Sequence, residues 1–208
     1  MDFSDLIKKR RACHHFQAGF QIPDEDFVKM IEETSFTPSG YNAQPWDFVI
    51  VREPENLAKI HELGFQQPHL KDASAVILVL GDTDIGRRVD EGVRQWVDGG
   101  YLEPERIPEF KNSMAKVRSP EKRKIMALRN AMLAAMTLIY SAENMGYATC
   151  PIMGFSQWEV EEFLQIPKDR VIALMIALGK AAGTEVQPRL PRRSVEEMVR
   201  WERWNEKQ

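Results

Sequence analysis

Cysteine and histidine are scarce in this chain. It has two cysteines, Cys13 and Cys150, and four histidines among 208 residues. So few thiol and imidazole groups argue against an iron–sulfur cluster, a zinc ribbon and a disulfide scaffold. We therefore expect no metal site, and cysteine use of this kind is typical of a reducing compartment.

The sequence also lacks a long apolar run and an excess of charge of either sign. No run approaches the roughly 18 residues that a membrane span needs, and the N-terminal charges follow the apolar part, the reverse of a secretory signal. Lysine and arginine number 28 against 31 acidic residues, which gives a net charge of −3. The composition predicts a soluble cytoplasmic protein that binds neither membranes nor nucleic acid.

The length of 208 residues favours one domain over a string of modules. Apolar periodicity and turn formers predict helices at 2–11, 24–37, 54–63, 121–146 and 157–164 and strands at 46–52, 75–81 and 171–178. Residues 82–120 give a mixed signal that indicates a surface excursion or lid, and 183–208 form a basic tail that ends in a helix. We expect a small sheet covered by helices, with helix dominating.

Two segments in the first quarter of the chain suit a ligand site. The first, RRACHHF at 10–16, follows a helix, where cationic side chains can converge on a phosphate. The second, PSGYNAQPW at 38–46, offers the amides of Asn42 and Gln44, which suit the edge of a planar heterocycle. The alternatives are a solvated helix end or, less favoured, a nucleic-acid patch for the first and a plain helix-to-strand loop for the second.

Two further segments lie in the last third of the chain. In CPIMGF at 150–155, Gly154 allows close backbone approach to a ligand and Pro151 fixes a turn. The alternative is an ordinary turn before a capping box formed by Ser156 and Glu159. Three arginines near residue 190 either face an anion or form an extended basic tail: Arg189, Arg192 and Arg193.

Together and in this order, these segments resemble the nitroreductase family of FMN-dependent oxidoreductases. The matching parts are RRxxxHF at 10–16, PSGYNAQPWDFVIV at 38–51, QQPHLKDASAVILV at 66–79, MGYATCPIMGF at 145–155 and a basic segment before SVEEMVRWERW at 194–204. The resemblance covers essentially the whole chain, and PSGYNAQPW together with CPIMGF is its specific part.

The resemblance implies an α+β fold, in which helices flank a central, mainly antiparallel sheet, and an interlocked homodimer with two FMN sites at its interface. Residues 1–208 would form a single FMN-binding domain. The lid at 82–120 falls where the family places substrate-shaping helices, and the tail at 183–208 would embrace the partner. The apolar helix at 121–146 would form much of the interface.

The resemblance also assigns FMN contacts by position. The phosphate and ribityl chain would meet a segment after the first helix, the partner subunit would supply the PSGYNAQ loop, and the flavin ring would lie on the CPIMG segment. The residues so assigned are Arg10, Arg11, Ala12, His14, Pro38, Ser39, Gly40, Asn42, Gln44, Gln66, His69, Asn130, Pro151, Ile152, Met153, Gly154, Arg192 and Arg193. Arg189 is an alternative in the tail, where the register is open.

Two of these positions depart from the family. Ala12 stands where serine is usual, which removes one hydroxyl contact, and His14 stands where arginine or lysine is usual. If His14 and His69 both approach the pyrimidine edge of the flavin, groups that titrate near neutrality replace a fixed charge. The alternative is that both histidines are neutral hydrogen-bond donors.

The implied reaction is a ping-pong reduction. NADH or NADPH reduces FMN at N5 and leaves, and a small acceptor such as a nitroaromatic compound or a quinone takes its place. No catalytic side chain is implied, because the flavin carries the chemistry. The alternatives are a specialised flavin enzyme of the same fold, for reductive dehalogenation or flavin degradation, and a non-catalytic FMN carrier.

Overall fold

A computed structural model of the chain describes residues 2–114, 119–183 and 189–204. Residues 115–118 of the predicted lid and residues 184–188 and 205–208 of the predicted tail lie outside this part. The helices are α1 Phe3–Lys9, α2 Asp24–Ser35, α3 Pro54–Leu63, α4 Pro68–Lys71, α5 Ile85–Asp98, α6 Ile107–Met114, α7 Pro120–Asn144, α8 Gln157–Phe163 and α9 Val195–Met198. The strands are β1 Trp46–Val51, β2 Ala75–Asp82, β3 Ala148–Ile152 and β4 Arg170–Gly179, and short 3₁₀ helices cover Gly40–Asn42 and Pro104–Arg106.

The strands form one antiparallel sheet in the order β1-β2-β4-β3. Because successive residues of a strand face opposite sides, β2 contributes to two cores. Ala75, Ile77 and Val79 pack with α2 and α7 on one face, whereas Val76 and Leu78 pack with residues of α3, α4 and α8 on the other. The expected α+β fold, an antiparallel sheet flanked by helices, is confirmed.

The long helix α7 lies very close to the sheet. Its buried face is built largely of alanine, including Ala127, Ala131 and Ala134. A Cβ atom added to Gly81 of β2 would lie 2.8 Å from the carbonyl carbon of Ala127, well inside contact distance. Glycine on the strand and alanine on the helix therefore permit this approach, which larger side chains would prevent.

By length and composition alone, α7 is the one helix of the described chain that could cross a membrane. The expectation that no segment approaches a membrane span is therefore wrong for this helix. A core helix passes the same test, and Ala131, Ala135 and Leu138 of α7 are buried in the core against β2 and β4. The contacts of α7 are those of a core helix.

The predicted turn at 150–155 is wrong in its first half, because Ala148–Ile152 forms the strand β3. Pro151 lies within this strand and pairs with Ile176 of β4. A proline is tolerated there because β3 is at the edge of the sheet and has a neighbouring strand on one side only. Proline thus obscured the strand in the sequence.

The predicted capping box at α8 is also wrong. The Ser156 side chain makes no capping hydrogen bond, and its backbone N–H, which Glu159 would accept in such a box, donates to the Leu63 carbonyl at 2.9 Å. A tertiary contact has replaced the local one. The described capping box lies instead at α9, between Ser194 and Glu197.

The tail is less helical than predicted, since α9 covers only Val195–Met198. Trp201 and Trp204 lie beyond the helix and are both more than 80% exposed. Arg200 places its guanidinium 5.0 Å from the centre of the Trp204 ring, a cation–π contact. Residues 199–204, the described part of the tail after α9, therefore make local contacts and do not continue the helix.

A buried carboxylate ties the lid to the sheet. The Asp82 side chain at the end of β2 is fully buried and contacts Arg87 at 2.7 Å, Arg88 at 2.9 Å and Arg170 at 3.1 Å. Asp47 of β1 also contacts Arg88 and Arg170, at 2.8 and 2.6 Å. Since Arg87 and Arg88 lie in the first turn of α5, this network fixes where the lid leaves the sheet.

Asp82→Asn should destabilise the protein, because Arg88 and Arg170 would lose the buried charge that they share. Removing one partner of a buried ion pair typically costs about 3 kcal/mol, and urea unfolding followed by circular dichroism would measure this loss. Asp98→Asn, a change at an exposed position at the end of α5, is the matched control. Equal unfolding free energies for the two variants would contradict the structural role of Asp82.

Candidate functional site

Guanidinium groups gather where α1 ends. Nη2 of Arg189 donates to the carbonyls of Lys8 and Arg10 at 2.8 and 2.9 Å. Nη1 of Arg11 donates to the Lys8 carbonyl at 2.8 Å. Carbonyl groups at the C-terminal end of a helix carry partial negative charge, so they hold these cations from one side. The tail is thereby brought against the segment after α1.

This arginine cluster, formed by Arg10, Arg11, Arg189 and Arg192, has unbalanced positive charge. Desolvation and the repulsion of Arg11, Arg192 and Arg10 lower the pKa of Arg189. Within the described chain, no ion pair with a carboxylate involves any of the four. Nε of Arg11 is buried and has no hydrogen-bond partner. An anion with several acceptor oxygens, such as a phosphate, fits this cluster.

β3 begins next to the arginine cluster. Ala12 forms a parallel bridge with Thr149, and the N–H of Cys13 donates to the Thr149 carbonyl at 2.8 Å. Glu143, at the end of α7, accepts from the N–H and hydroxyl of Thr149 at 3.2 and 2.8 Å. Burial raises the pKa of Glu143, while hydrogen bonds from Thr149 and the charge of Arg10 lower it in part. The segment after α1, the end of α7 and β3 therefore meet at one place.

Residues 151–154, at the end of β3 and just after it, differ in their exposure to solvent. Met153 is 75% exposed, whereas Ile152 is 3% exposed and belongs to the core. Pro151 and Gly154 are also exposed. Ile152, one of the predicted ring contacts, is therefore part of the core and not of the exposed surface.

The turn between α3 and α4 is tied to the same segment. Nε2 of Gln67 donates to the Gly154 carbonyl at 2.6 Å. The sequence assigned Gln66, which has a left-handed backbone with φ 52°, and missed the role of Gln67. The sequence alone does not indicate which of the two adjacent glutamines contacts Gly154.

The two histidines of interest lie side by side. The rings of His14 and His69 are 5.5 Å apart, centre to centre. Burial, with a smaller effect from His14, lowers the pKa of His69. This direction favours the neutral form for His69, one of the two alternatives that the sequence left open.

The loop at residues 38–44 forms a second group with Asn130 of α7. The Gly40 N–H donates to Oδ1 of Asn130 at 3.0 Å, and Nδ2 of Asn130 donates to the Met126 carbonyl at 2.8 Å, which fixes the orientation of the amide. The Ser39 hydroxyl accepts from the Gln44 N–H at 3.0 Å. The resemblance assigned both the loop and Asn130 to FMN contacts from the partner subunit, and within one chain the structure joins them by a hydrogen bond.

The backbone of this loop is strained. Tyr41, Asn42 and Gln44 have φ values of 59°, 50° and 44°, in the left-handed region that only glycine and asparagine adopt readily. Residues held in such regions cost roughly 1–3 kcal/mol each and cluster at functional sites. The surrounding contacts must therefore hold the loop in place.

The predicted site residues thus form two groups within one chain. Among the described residues, no hydrogen bond, ion pair or ring contact joins the loop or Asn130 to the arginine cluster or to the segment 151–154. Arg193 belongs to neither group, since its Nη2 donates to the Glu197 carbonyl at 2.6 Å. No group of three or more metal-binding side chains is found in the described part of the chain.

Comparisons with known proteins agree on one family. A model of the nitroreductase family matches residues 7–180. MhqN of Bacillus subtilis (strain 168), provisionally named an NAD(P)H nitroreductase, is 30% identical over 203 residues, which cover 96% of this chain and 98% of MhqN.

Solved structures show the same fold. The crystal structure of ydfN from Bacillus subtilis has a TM-score of 0.90 at 29% identity, covering 96% of this chain and 98% of ydfN. A structure from Exiguobacterium sibiricum, solved in complex with FMN, has a TM-score of 0.83 at 27% identity, covering 97% of each chain. The match in sequence and fold spans nearly the whole chain, which therefore belongs to the nitroreductase family.

Proposed function

We propose that the chain is an FMN-dependent oxidoreductase that uses NADH or NADPH to reduce small electron acceptors such as nitroaromatics and quinones. The observation that carries this proposal is the arginine cluster, where Arg11 keeps a buried donor without a partner. Membership of the nitroreductase family supports it, as do the FMN complex of a structural neighbour and the name of MhqN.

The arginine cluster would hold the FMN phosphate. Arg10 and Arg11 come from the end of α1, and Arg189 and Arg192 come from the tail. Of the two tail arginines that the sequence assigned, we favour Arg192, whose positive charge acts on Arg189, over Arg193. Ala12 has no hydroxyl group, so the guanidinium groups and backbone N–H groups of this segment would bind the phosphate.

The flavin ring would lie on exposed residues at the end of β3 and just after it. Pro151, Met153 and Gly154 are open to solvent, and Gln67 fixes the position of the Gly154 carbonyl. His14 and His69 would donate hydrogen bonds at the pyrimidine edge. Bound FMN would supply hydride acceptance and donation at its N5 atom, with nicotinamide and acceptor using the same place in turn. The protein would bind and orient these molecules without an obligatory side-chain acid or base.

A second copy of the chain would complete each site. No described contact joins the loop at 38–44 or Asn130 to the arginine cluster, and the family resemblance implies that they would serve the FMN held by a partner. Exposed apolar side chains on α7 and the tail would be buried in such a dimer: Ile125, Met132, Leu133, Met198, Trp201 and Trp204. Apolar surface of this extent is typical of an interface.

Arg192→Ala should weaken FMN binding by roughly 10- to 100-fold, because a charge-assisted hydrogen bond to phosphate contributes about 1.5–3 kcal/mol. Binding of riboflavin, which lacks the phosphate, should change little. Quenching of flavin fluorescence measures both dissociation constants. Arg193→Ala, whose guanidinium contacts the Glu197 carbonyl, is the matched control. An equal loss of FMN and riboflavin affinity in Arg192→Ala would contradict a phosphate site at the cluster.

The reaction class is tested by steady-state kinetics. The purified protein should be yellow and should oxidise NADH or NADPH with nitroaromatics, quinones or enones as acceptors. Double-reciprocal plots at several acceptor concentrations should be parallel, as a ping-pong reaction requires. Bound FMN without turnover across this screen would favour a non-catalytic carrier, and a colourless protein that takes up no FMN would contradict the proposal.

The lowered pKa of His69 predicts a loss of stability in acid. An unfolded histidine binds its proton near pH 6.5, whereas folded His69 does so only at a lower pH. The unfolded state therefore binds more protons, and the free energy of unfolding should fall as the pH drops below about 6.5. His69→Gln should lose part of this dependence in urea titrations of the flavin-free protein, with His61→Gln as the control. Identical pH slopes for wild type and His69→Gln would show that His69 does not contribute.

A further inference from the structure

Three aromatic side chains connect the loop at 38–44 with the lid. The rings of Tyr41 and Phe110 are 5.2 Å apart at 81°, and those of Phe110 and Trp96 are 5.1 Å apart at 78°. Both pairs are edge-to-face, an arrangement that aromatic rings favour. A chain of contacts therefore runs from the loop through α6 to α5.

A small core joins the loop to the lid a second time. Ala43 of the loop is buried with Ile85, Val89 and Val93 of α5. Trp96 and Phe110 pack against the same cluster, which is separate from the two cores on the faces of the sheet. The loop and the lid therefore share a core of their own.

The two lid helices are also joined to each other. Nζ of Lys111 on α6 lies 2.7 Å from Oδ1 of Asp90 on α5, in addition to the contact between Phe110 and Trp96. The first turn of α5 is fixed to the sheet by the buried carboxylate of Asp82. The described lid is thus attached at its base and meets the loop with Phe110.

We propose that Phe110 is a positioning residue that couples the lid to the loop at 38–44. Hydrogen bonds to Asn130 and Ser39 hold the backbone of the loop on either side of Tyr41. The backbone of Tyr41 itself has a left-handed conformation, and its ring makes an edge-to-face contact with that of Phe110. Since strained residues persist only where their surroundings fix them, the position of α6 sets the conformation of Tyr41. A lid that moves to admit a bulky acceptor would loosen the loop and, with it, the hold on FMN.

Hydrogen exchange tests the coupling without FMN. In the full-length chain after flavin removal, Phe110→Leu should speed exchange in peptides spanning 37–46 by roughly 3- to 10-fold, the equivalent of one lost aromatic pair. Phe110→Tyr, which keeps the ring, should restore the slow rate. Tyr101→Leu is the matched control, because Tyr101 lies in the same excursion and is 86% exposed. Unchanged exchange in Phe110→Leu would overturn the proposal.

The reverse experiment covers the case in which Phe110→Leu fails to fold. Coupling between two sites is reciprocal, so Tyr41→Leu should speed exchange in peptides spanning 107–112 of α6 by a similar factor. Faster exchange there supports the proposal, and exchange at the wild-type rate in α6 overturns it. When Phe110→Leu and Tyr41→Leu are combined, hydrogen exchange in the loop should be no faster than in Phe110→Leu alone, because both substitutions remove the same contact.

FMN binding supplies the second measurement, which rests on the proposed function. Phe110→Leu should weaken the binding of FMN and of riboflavin by the same factor of roughly 3 to 10, since no described contact joins the loop to the arginine cluster within each chain. Loss of affinity for FMN alone would overturn the proposal. A wild-type chain that takes up no FMN would contradict the proposed function, while the exchange result would still decide the coupling.

Discussion

The close packing of α7 on the sheet is the contact on which the rest of the structure depends. Gly81 and the alanine face of α7 let the helix backbone approach β2 within van der Waals distance. From this position α7 reaches both groups of site residues. Asn130 accepts a hydrogen bond from the Gly40 N–H of the loop, and Glu143 accepts one from the Thr149 hydroxyl near the start of β3. A shift of the helix would therefore disturb both groups at once.

Charge is organised around the same framework in two contrasting ways. Asp82 is fully buried among three arginines, each of which also pairs with a second carboxylate, so this network is balanced and serves the attachment of the lid. The arginine cluster at the end of α1 has helix carbonyls on one side, and none of its guanidinium groups forms an ion pair with a carboxylate of the described residues. The first arrangement needs no ligand, whereas the second would be completed by the FMN phosphate in the proposed function. This difference separates a structural network from a binding site among the many arginines of the chain.

Much of the fold could be predicted from the sequence, because apolar periodicity is a local signal. The helices at 54–63 and 121–146 and the strands at 75–81 and 171–178 lie within about two residues of their observed bounds. β3 was missed because Pro151 is typical of a turn, and only the order of strands places it at an edge. The capping box at Ser156 failed because Leu63, which is distant in sequence, accepts the N–H. Such contacts depend on tertiary structure, which short motifs do not record.

The candidate site shows the same limit. Its residues were assigned by resemblance, and the structure groups most of them around two centres, adds Gln67 by its contact with Gly154 and brings Arg189, which the sequence named as an alternative, against the end of α1. The ring chain from Tyr41 to Trp96 spans residues far apart in the chain, and none of them carries a motif that indicates contact. Prediction from sequence was therefore strongest for segments and weakest for the partner that each side chain meets.

The central claim is that two copies of the chain together form each FMN site. Sedimentation velocity, followed at both the protein and the flavin absorption bands, tests it most directly. The account predicts that flavin sediments with a species of twice the 24.0 kDa chain mass, with one FMN per chain, and that dilution to monomer releases it. Flavin that stays bound to a monomer with undiminished affinity would contradict the account.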